Sequence, residues 1–359
     1  GNAGRDIVVG GAAGDEIYGG DGSAANALDL GDVLLGDSGR IDIASAAIAV
    51  AINNVQVVAT TDTVATTGGS DLIKGNEGDD VILGGVGADG DSAVTDTATP
   101  VAAGLEGNDG DDIILGDNGS LNYVVDIASG GDGVANTLDR VTTDRSLPDF
   151  GGADTISGGT ENDIIFGGAA GDEIYGDAGN DIILGDAGQV DLTGTEHDIF
   201  SVDESVGAAD TITGGADNDI LLGGAGGDAV SGDAGNDIVF GDSGRFDRDN
   251  TDAIEQVSST ALGVGAGDVL YGNAGSDIVV GGASGDEVYG GDGDTANALD
   301  LGDVLLGDSG QIDIASVAID VAINNVQAIA TTDTDAATGG TDLIKGNEGD
   351  DVILGGVGA

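Results

Sequence analysis

A nine-residue pattern recurs along this chain and restricts the folds open to it. The pattern has Gly at its first position, Gly, Asn or Asp at the second, Gly at the fourth, Asp at the sixth and an aliphatic residue at the eighth, as in residues 75–83, 176–184 and 232–240. Twenty copies have the sixth-position Asp, and all twenty have Ile, Leu or Val at the eighth position. So short a repeat predicts a stack of similar units, because one unit cannot bury its apolar residue alone.

A second, longer period organises the short repeats. Residues 1–88 recur as 272–359 with 75 of 88 positions identical, a period of 271 residues. The motif Gly-Asp-x-Gly precedes each longer stretch that lacks the repeat, and it begins at Gly36, Gly116, Gly185, Gly241 and Gly307. We therefore expect one continuous solenoid with modules of roughly 1–67, 68–150, 151–206, 207–264, 265–338 and 339–359. Because no capping turn is evident, we expect the chain to belong to a longer array.

The net charge of the chain limits the classes of partner that it can bind. It has 67 acidic and 8 basic residues, a formal net charge of −59. Such acidity is typical of disordered chains, but 40% of the residues are hydrophobic and regularly placed, so the carboxylates indicate ligands for cations. A nucleic-acid partner is not expected, because it requires a basic surface. Membrane insertion is not expected either, since no run of 18 apolar residues occurs. The absence of Cys excludes disulfides and thiolate metal sites.

The chemistry of the nonapeptide favours calcium. Glycines allow a sharp turn that brings carbonyl oxygens inward, the Asp adds a carboxylate, and the eighth residue points into the core from a short strand. Stacked turns would place equivalent carboxylates about 4.8 Å apart, where they repel one another. A hard cation with six to eight oxygen ligands removes this repulsion, and Ca²⁺ suits it better than Mg²⁺. An Asp that caps a turn explains one isolated copy equally well, but not twenty in register.

The repeats resemble those of the repeats-in-toxin (RTX) family. The resemblance implies an all-β fold, a right-handed parallel β-roll with two nonapeptides in each turn. It also implies Ca²⁺ ions between the loops of successive turns, held by the Asp and by glycine-loop carbonyls. Carried over by position, the metal ligands would be Asp6, Asp15, Asp71, Asp80, Asp112, Asp154, Asp163, Asp172, Asp181, Asp210, Asp219, Asp228, Asp237, Asp268, Asp277, Asp286, Asp342 and Asp351.

Some copies depart from the family pattern. Asp32 and Asp303 follow the template only after an insertion of about ten residues and are left out of the predicted ligands. In loops 10–14, 167–171 and 281–285 the fourth-position Gly is shifted to the fifth position. We expect those loops to bind calcium more weakly or not at all.

The residues beside the eighth position predict a third layer. They alternate between polar pairs, such as Thr155 and Ser157, and apolar pairs, such as Ile164 and Phe166. With two nonapeptides in each coil, one sheet would be apolar on both faces, and its outer face must be covered. We expect β-hairpin inserts to cover it, including one at 48–57 that turns at Asn53-Asn54 and recurs at 319–328. The alternative is a cover from another chain or from another part of the parent protein.

No catalytic residue is predicted. His197 is the only His, and it is expected to be an exposed insert residue; there is no Cys nucleophile. We expect a protein that is not an enzyme, folds with Ca²⁺ outside a bacterial cell, and serves as a structural or adhesive rod, filament or surface-layer component, with other copies of itself as partners. Two alternatives remain: the calcium-folding export region of a type I secreted toxin or hydrolase, and modification of sugar polymers, although Tyr and Phe together number only 10.

Overall fold

A computed structural model describes residues 6–20, 31–43, 55–61, 68–89, 104–123, 138–143, 151–193, 198–249, 253–291, 302–317, 326–332, 339–347 and 349–356. These residues form β-strands and turns, with no helix among them. The strands, numbered in chain order, belong to three sheets. The predicted all-β class is therefore confirmed.

The first sheet, here called the covered sheet, is parallel. In the described part of the chain it has 11 strands: β1 (Ile7–Val9), β3 (Val33–Leu35), β7 (Val81–Leu83), β9 (Ile113–Leu115), β13 (Ile164–Phe166), β15 (Ile182–Leu184), β19 (Ile220–Leu222), β21 (Ile238–Phe240), β25 (Ile278–Gly282), β27 (Val304–Asp308) and β31 (Val352–Leu354).

The second sheet, the open sheet, is also parallel. Within the same ranges it has 10 strands: β2 (Glu16–Tyr18), β6 (Leu72–Glu77), β8 (Leu105–Asp109), β12 (Thr155–Thr160), β14 (Glu173–Ala178), β18 (Thr211–Ala216), β20 (Ala229–Ala234), β24 (Val269–Ala274), β26 (Glu287–Tyr289) and β30 (Leu343–Lys345).

The chain alternates between these two sheets and so forms a β-roll. Each strand pairs with the strand one coil away, as Ile165 pairs with both Ile114 and Ile183. The eighth-position aliphatic residues of both sheets meet in one continuous inner core, in which Ile165 and Ile183 have no solvent exposure. The predicted roll of stacked nonapeptides is confirmed, and the eighth position is its core.

The third sheet, the hairpin sheet, is antiparallel and built from the inserts. The described residues give it 10 strands: β4 (Gly39–Ile43), β5 (Val55–Thr60), β10 (Gly119–Asn122), β11 (Arg140–Thr143), β16 (Gly188–Asp191), β17 (Asp198–Ser201), β22 (Gly244–Arg248), β23 (Ile254–Ser259), β28 (Gly310–Val317) and β29 (Val326–Thr331). Consecutive strands form hairpins, and each hairpin also pairs with the next, β5 with β10 and β11 with β16.

The hairpin sheet lies on the apolar outer face of the covered sheet. Phe166 and Phe240 of the covered sheet are buried in one cluster with Val190 and Phe246 of the hairpin sheet. The rings of Phe240 and Phe246 meet edge to face, with centroids 5.5 Å apart. The predicted third layer is therefore confirmed, and in the described ranges the inserts provide it.

The predicted strand pairing within a hairpin at 48–57 is wrong. Val57 pairs with Asp42 of β4 on one side and with Asn122 of β10 on the other. Because both edges of β5 are occupied there, Val57 has no free edge for a strand at 48–52. The proposed turn at Asn53-Asn54 lies outside the described residues. In the recurring segment Ala328 of β29 pairs with Asp313 of β28, the counterpart of the Val57–Asp42 pair.

Left-handed backbone explains which residues the loops accept. The second position has φ of +80° at Asn76 and +74° at Asp177, a conformation that Gly, Asn and Asp tolerate best. The fourth position is left-handed at Gly78 and Gly179, and also in three loops where its Gly is missing: φ is +78° at Ala13, +85° at Ala170 and +79° at Ser284. At these three positions an L-residue occupies left-handed backbone at a cost in strain.

Ala170→Gly is expected to stabilise the protein. A left-handed Ala costs about 1–2 kcal/mol, and the greater unfolded-chain entropy of Gly offsets part of the gain, so we expect about 0.5–1 kcal/mol net. The measurement is the midpoint of urea unfolding at saturating calcium. The matched control is Ala169→Gly, where φ is not positive and the change should destabilise by about 0.5–1 kcal/mol. Equal effects of both substitutions would contradict this account.

Candidate metal centre

Sixth-position aspartates form a continuous column along one edge of the roll. This plain edge consists of the loops that lead from the open sheet to the covered sheet. The backbone N–H of each Asp donates to Oδ1 of the corresponding Asp one coil further on, over 2.5–3.1 Å. Its described members are Asp6, Asp32, Asp80, Asp112, Asp163, Asp181, Asp219, Asp237, Asp277, Asp303 and Asp351.

A second column follows the opposite edge. This insert edge consists of the loops that lead from the covered sheet to the open sheet, and alternate loops carry the hairpins. The same N–H to Oδ1 bonds recur over 2.6–3.2 Å. The described members are Asp15, Asp71, Asp89, Asp154, Asp172, Asp210, Asp228, Asp268, Asp286 and Asp342.

Every predicted ligand lies in one of these columns, and three further aspartates join them. Asp32 and Asp303, which sequence analysis left out, occupy ordinary places in the plain-edge column because the insertion before each of them preserves the register. Asp89 was missed because Asp91 stands at its eighth position, although Gly84-Gly-Val-Gly-Ala-Asp89 matches the first six. After residues 90–103, Leu105 supplies the missing core residue. A template that allowed an insertion after the Asp would have found it.

The second carboxylate oxygen of these aspartates is buried in a space that only Gly leaves open. A Cβ on the first-position Gly176 would lie 2.4 Å from Asp181 Oδ2 and 2.5 Å from the carbonyl oxygen of Gly214 in the next coil. A Cβ on each of the other described first-position glycines, except Gly355, would likewise lie within 1.9–2.6 Å of an Asp Oδ2. Side-chain and backbone oxygens of two successive coils thus converge at each loop.

Many of these Oδ2 atoms are buried and accept no hydrogen bond. This holds for Asp15, Asp71, Asp89, Asp112, Asp154, Asp163, Asp172, Asp181, Asp210, Asp219, Asp228, Asp237, Asp268 and Asp286. A buried carboxylate oxygen without a partner costs several kcal/mol unless a counter-charge compensates it. Oxygen atoms of this kind, next to carbonyl oxygens, form the donor set that Ca²⁺ prefers.

Burial also disfavours the charged form of these carboxyls. Desolvation is the largest cause that raises the pKa of Asp181 to about 7, of Asp163 to about 8 and of Asp219 to about 9. Repulsion from neighbouring carboxylates raises the pKa as well, while the hydrogen bond from the preceding Asp N–H lowers it. At neutral pH the columns therefore need either protons or cations.

The donor set at each loop is one carboxylate with backbone carbonyls. Among the residues described, no three Asp, Glu, His or Cys side chains gather around one point. A cation would therefore be held between coils, by a sixth-position Asp and by glycine carbonyls, in agreement with the arrangement that the family resemblance implied. When bound, the cation would supply the positive charge that the columns lack.

Five buried aspartates at the roots of the inserts were not predicted. Asp37, Asp117, Asp186, Asp242 and Asp308 are at most 5% exposed. They are the Asp of the Gly-Asp-x-Gly motif, which sequence analysis used only to mark module boundaries. Unlike the second-position Asp177, none of the five has a positive φ.

The covered and open sheets, the aspartate columns and the glycine loops define a parallel β-roll of the cation-binding kind. The family model of the RTX calcium-binding nonapeptide repeat matches residues 1–23, 58–90, 105–120, 150–183, 207–230, 213–245, 262–295 and 333–359, more than half of the chain. The chain therefore belongs to the RTX nonapeptide-repeat family, whose repeats bind calcium. No curated protein matches the chain.

Two further sequence expectations concern residues away from the columns. His197, expected to be an exposed insert residue, lies outside the described residues. Within the ranges that the structure describes, there is no helix with the length and apolarity needed to cross a bilayer.

Gly176→Ala is expected to destabilise the roll and to weaken calcium binding. The added methyl group would occupy the space beside Asp181 Oδ2, so either the loop must move or the cation loses its place. We expect a loss of about 2 kcal/mol or more, because the contacting atoms include backbone that cannot move freely. The measurement is the calcium midpoint of folding, followed by circular dichroism.

The control for this substitution is Gly355→Ala at the same loop position. No atom lies within 4 Å of the Cβ that would be added there, so this variant should behave like the unsubstituted chain. A normal calcium midpoint for Gly176→Ala would contradict the assigned cation space.

Acid is expected to replace calcium in part. The raised pKa values mean that the protonated columns stabilise the fold fully below about pH 3.8, the ordinary value, and that this stability is lost as the pH rises through about 7 to 9. In excess chelator, β-structure should therefore increase as the pH is lowered from 9 to 5. Exposed carboxyls titrate near pH 4, so a circular dichroism midpoint above about pH 5.5 would identify the buried columns. No change above pH 5 would contradict the prediction.

Proposed function

We propose that this chain is a calcium-dependent extracellular structural or adhesive repeat protein, a segment of a rod, filament or surface layer on a bacterial cell. The observation that supports it most is the pair of buried aspartate columns, which continue from coil to coil without forming one distinct site. A protein whose chemistry is the same at every coil serves through its length and rigidity. We propose no catalytic role, in keeping with a chain that has one His and no Cys.

Calcium would act as the signal for folding. The net charge of −59 opposes compaction, and each bound Ca²⁺ would cancel two of these charges. Extracellular calcium modules typically have Kd values of about 10⁻⁴–10⁻³ M, far above cytoplasmic calcium. The chain would therefore remain unfolded in the cytoplasm and fold outside the cell, where binding energy becomes folding energy.

The long period supports a structural role. Residues 7–9 of β1 are identical to residues 278–280 of β25, and β25 lies eight strand spacings further along the covered sheet. At about 4.8 Å for each spacing, one 271-residue unit would lengthen the roll by roughly 38 Å. The export region of a type I secreted toxin or hydrolase would also fold with calcium, but it does not require near-identical units of this size.

Calcium dependence and rod growth can be tested together. Appending a second copy of residues 89–359 continues the 271-residue period, so in millimolar calcium the longer protein should form a rod extended by roughly 38 Å in electron micrographs. In excess EGTA both proteins should lose their β-rich circular dichroism spectrum and their rod shape, because the columns are then uncompensated.

Three outcomes separate the possibilities. An unchanged β-rich spectrum in EGTA at pH 8 would reject calcium-coupled folding. Calcium-coupled folding into separate globules, with no added rod length, would reject the rod and favour the export role. Detection of the protein on the cell surface, from which chelator releases it, would support the proposed location.

A further inference from the structure

The five insert-root aspartates are not among the cation ligands described above. Asp37, Asp117, Asp186, Asp242 and Asp308 each follow the first-position Gly of an insert-edge loop, at the point where the chain leaves the roll for a hairpin. They are nearly as buried as the columns, with exposures of 1%, 5%, 5%, 3% and 0%. A carboxylate buried at the exit of every described hairpin needs a physical reason, because its desolvation is costly.

Asp117 shows what such a carboxylate contacts. Its Oδ2 accepts the N–H of Ala169 at 2.6 Å, and its Oδ1 accepts the N–H of Gly152 at 3.0 Å. Gly152 lies where the chain returns from the hairpin, two residues before Asp154. Ala169 is the third residue of the loop in the next coil. One carboxylate thus joins the exit of an insert, its return and the following loop, an arrangement that we call the carboxylate clasp.

The clasp recurs in other modules. Asp186 Oδ2 accepts the N–H of Ala225 at 2.5 Å, and its Oδ1 accepts that of Ala208 at 3.3 Å. Asp37 accepts the N–H of Val86 at 2.8 Å, and Asp242 accepts that of Ala283. Apart from Ala208, which lies on the return from the insert, each donor is the third residue of the next loop. Four independent repetitions of the same contact exclude a chance placement of one side chain.

Each pair of neighbouring loops on the insert edge forms one step, and the clasps join the loops of alternate steps only. Asp117 joins the loop that ends at Asp154 to the loop that ends at Asp172, but the latter has Gly168 at its second position. The other loops without a hairpin likewise have Gly at this position: Gly11, Gly85, Gly224 and Gly282. The insert edge therefore alternates between clasped steps and steps that have no second-position carboxylate.

On the plain edge a different set of hydrogen bonds joins successive loops. There the fifth-position amides stack, and the backbone N–H and Nδ2 of Asn180 both donate to Oδ1 of Asn162, at 3.0 and 2.9 Å. Asn218 repeats these contacts on Asn180. On the insert edge the fifth positions are Gly, Ala, Ser or Thr, so no amide ladder can form there. The clasp takes over the function of joining successive loops on that edge.

The clasp lies beside the cation space described above. A Cβ on Gly116 would lie 2.4 Å from Asp154 Oδ2 and 2.5 Å from the Gly167 carbonyl oxygen. Asp117 follows Gly116 directly, and its partner Ala169 is two residues after Gly167. A fixed Ala169 N–H therefore restrains the loop that supplies the Gly167 carbonyl.

We propose that four of the insert-root aspartates, Asp37, Asp117, Asp186 and Asp242, are positioning residues for calcium binding. Within the folded roll each holds the following loop in its binding arrangement, so a clasped step keeps that arrangement when its ion leaves, whereas the steps between them depend on the ion. This inference rests on the proposed calcium-coupled folding and adds a difference between alternate steps of the insert edge.

The test is hydrogen exchange of the full chain by mass spectrometry between 1 and 20 mM calcium, with circular dichroism at each concentration to verify that the roll is folded. In the parent chain, loop 167–172 should remain protected as calcium is lowered, because the clasp holds it when an ion leaves. In Asp117→Asn the side chain retains one acceptor but loses the charge and the second acceptor. Exchange in this loop should then become calcium-dependent and roughly 10- to 100-fold faster at 1 mM, the effect of losing a charged hydrogen bond.

The matched control is Asp177→Asn. Asp177 is also a second-position Asp, but it is exposed on the plain edge, has φ of +74°, and accepts a hydrogen bond from Ser157 Oγ rather than from a neighbouring loop. It should leave the exchange of loop 167–172 unchanged. If Asp117→Asn fails to fold, the pair Asp186→Asn and Asp177→Asn asks the same question of loop 223–228.

Each outcome decides the proposal. Local, calcium-dependent exchange in Asp117→Asn alone supports it. Unchanged exchange in that variant rejects the clasp while leaving calcium-coupled folding intact. Equally faster exchange throughout the chain in both variants also rejects it, since that result would reflect only lost charge or lost global stability. A chain that stays folded in EGTA would reject the calcium scheme itself, a result that none of these exchange outcomes produces.

Discussion

The fold depends on how a carboxylate is buried at each edge of every coil. Each column aspartate uses Oδ1 to accept an N–H from the preceding coil, and Oδ2 remains in a space surrounded by backbone oxygen. Each coil adds two such carboxylates, and an uncompensated buried charge costs several kcal/mol. The charge must be neutralised at every coil, and this makes the whole solenoid sensitive to a single condition of its surroundings.

The covered sheet and the hairpin sheet gain strands at the same rate along the roll. A hairpin contributes two strands and occurs once in every two coils, so the hairpin sheet and the covered sheet both gain one strand for each coil. Strand spacing is nearly the same in all sheets, and the apolar faces can therefore match along the whole roll. The open sheet has a mostly polar outer face, with side-chain contacts between neighbouring strands such as Lys74 with Glu106 and the stacked rings of Tyr271 and Tyr289.

Features that depend only on a residue's position within one nonapeptide could be predicted from the sequence. The core residues, the two columns and the need for a third layer all follow from a fixed spacing, which a local pattern reveals. The partner of Val57 could not be predicted, because strand pairing between inserts depends on distances in the folded roll. Asp32, Asp89 and Asp303 escaped because an insertion interrupts the spacing while the hydrogen-bond register continues through it. The role of Asp117 was hidden for another reason: its partner, Ala169, is more than fifty residues away and donates only through its backbone.

The hydrogen bonds of both columns point the same way. The amide of each aspartate donates to the coil on its C-terminal side, never to the one before it, in all the pairs described. The roll is therefore polar, and its two ends are chemically different. A coil added on the N-terminal side presents amide donors to carboxylates already in place, whereas a coil added on the C-terminal side must bring its own negative charge to waiting amides. Elongation in the two directions is thus not equivalent: in one direction the docking surface is an anion, and in the other it is a row of dipoles.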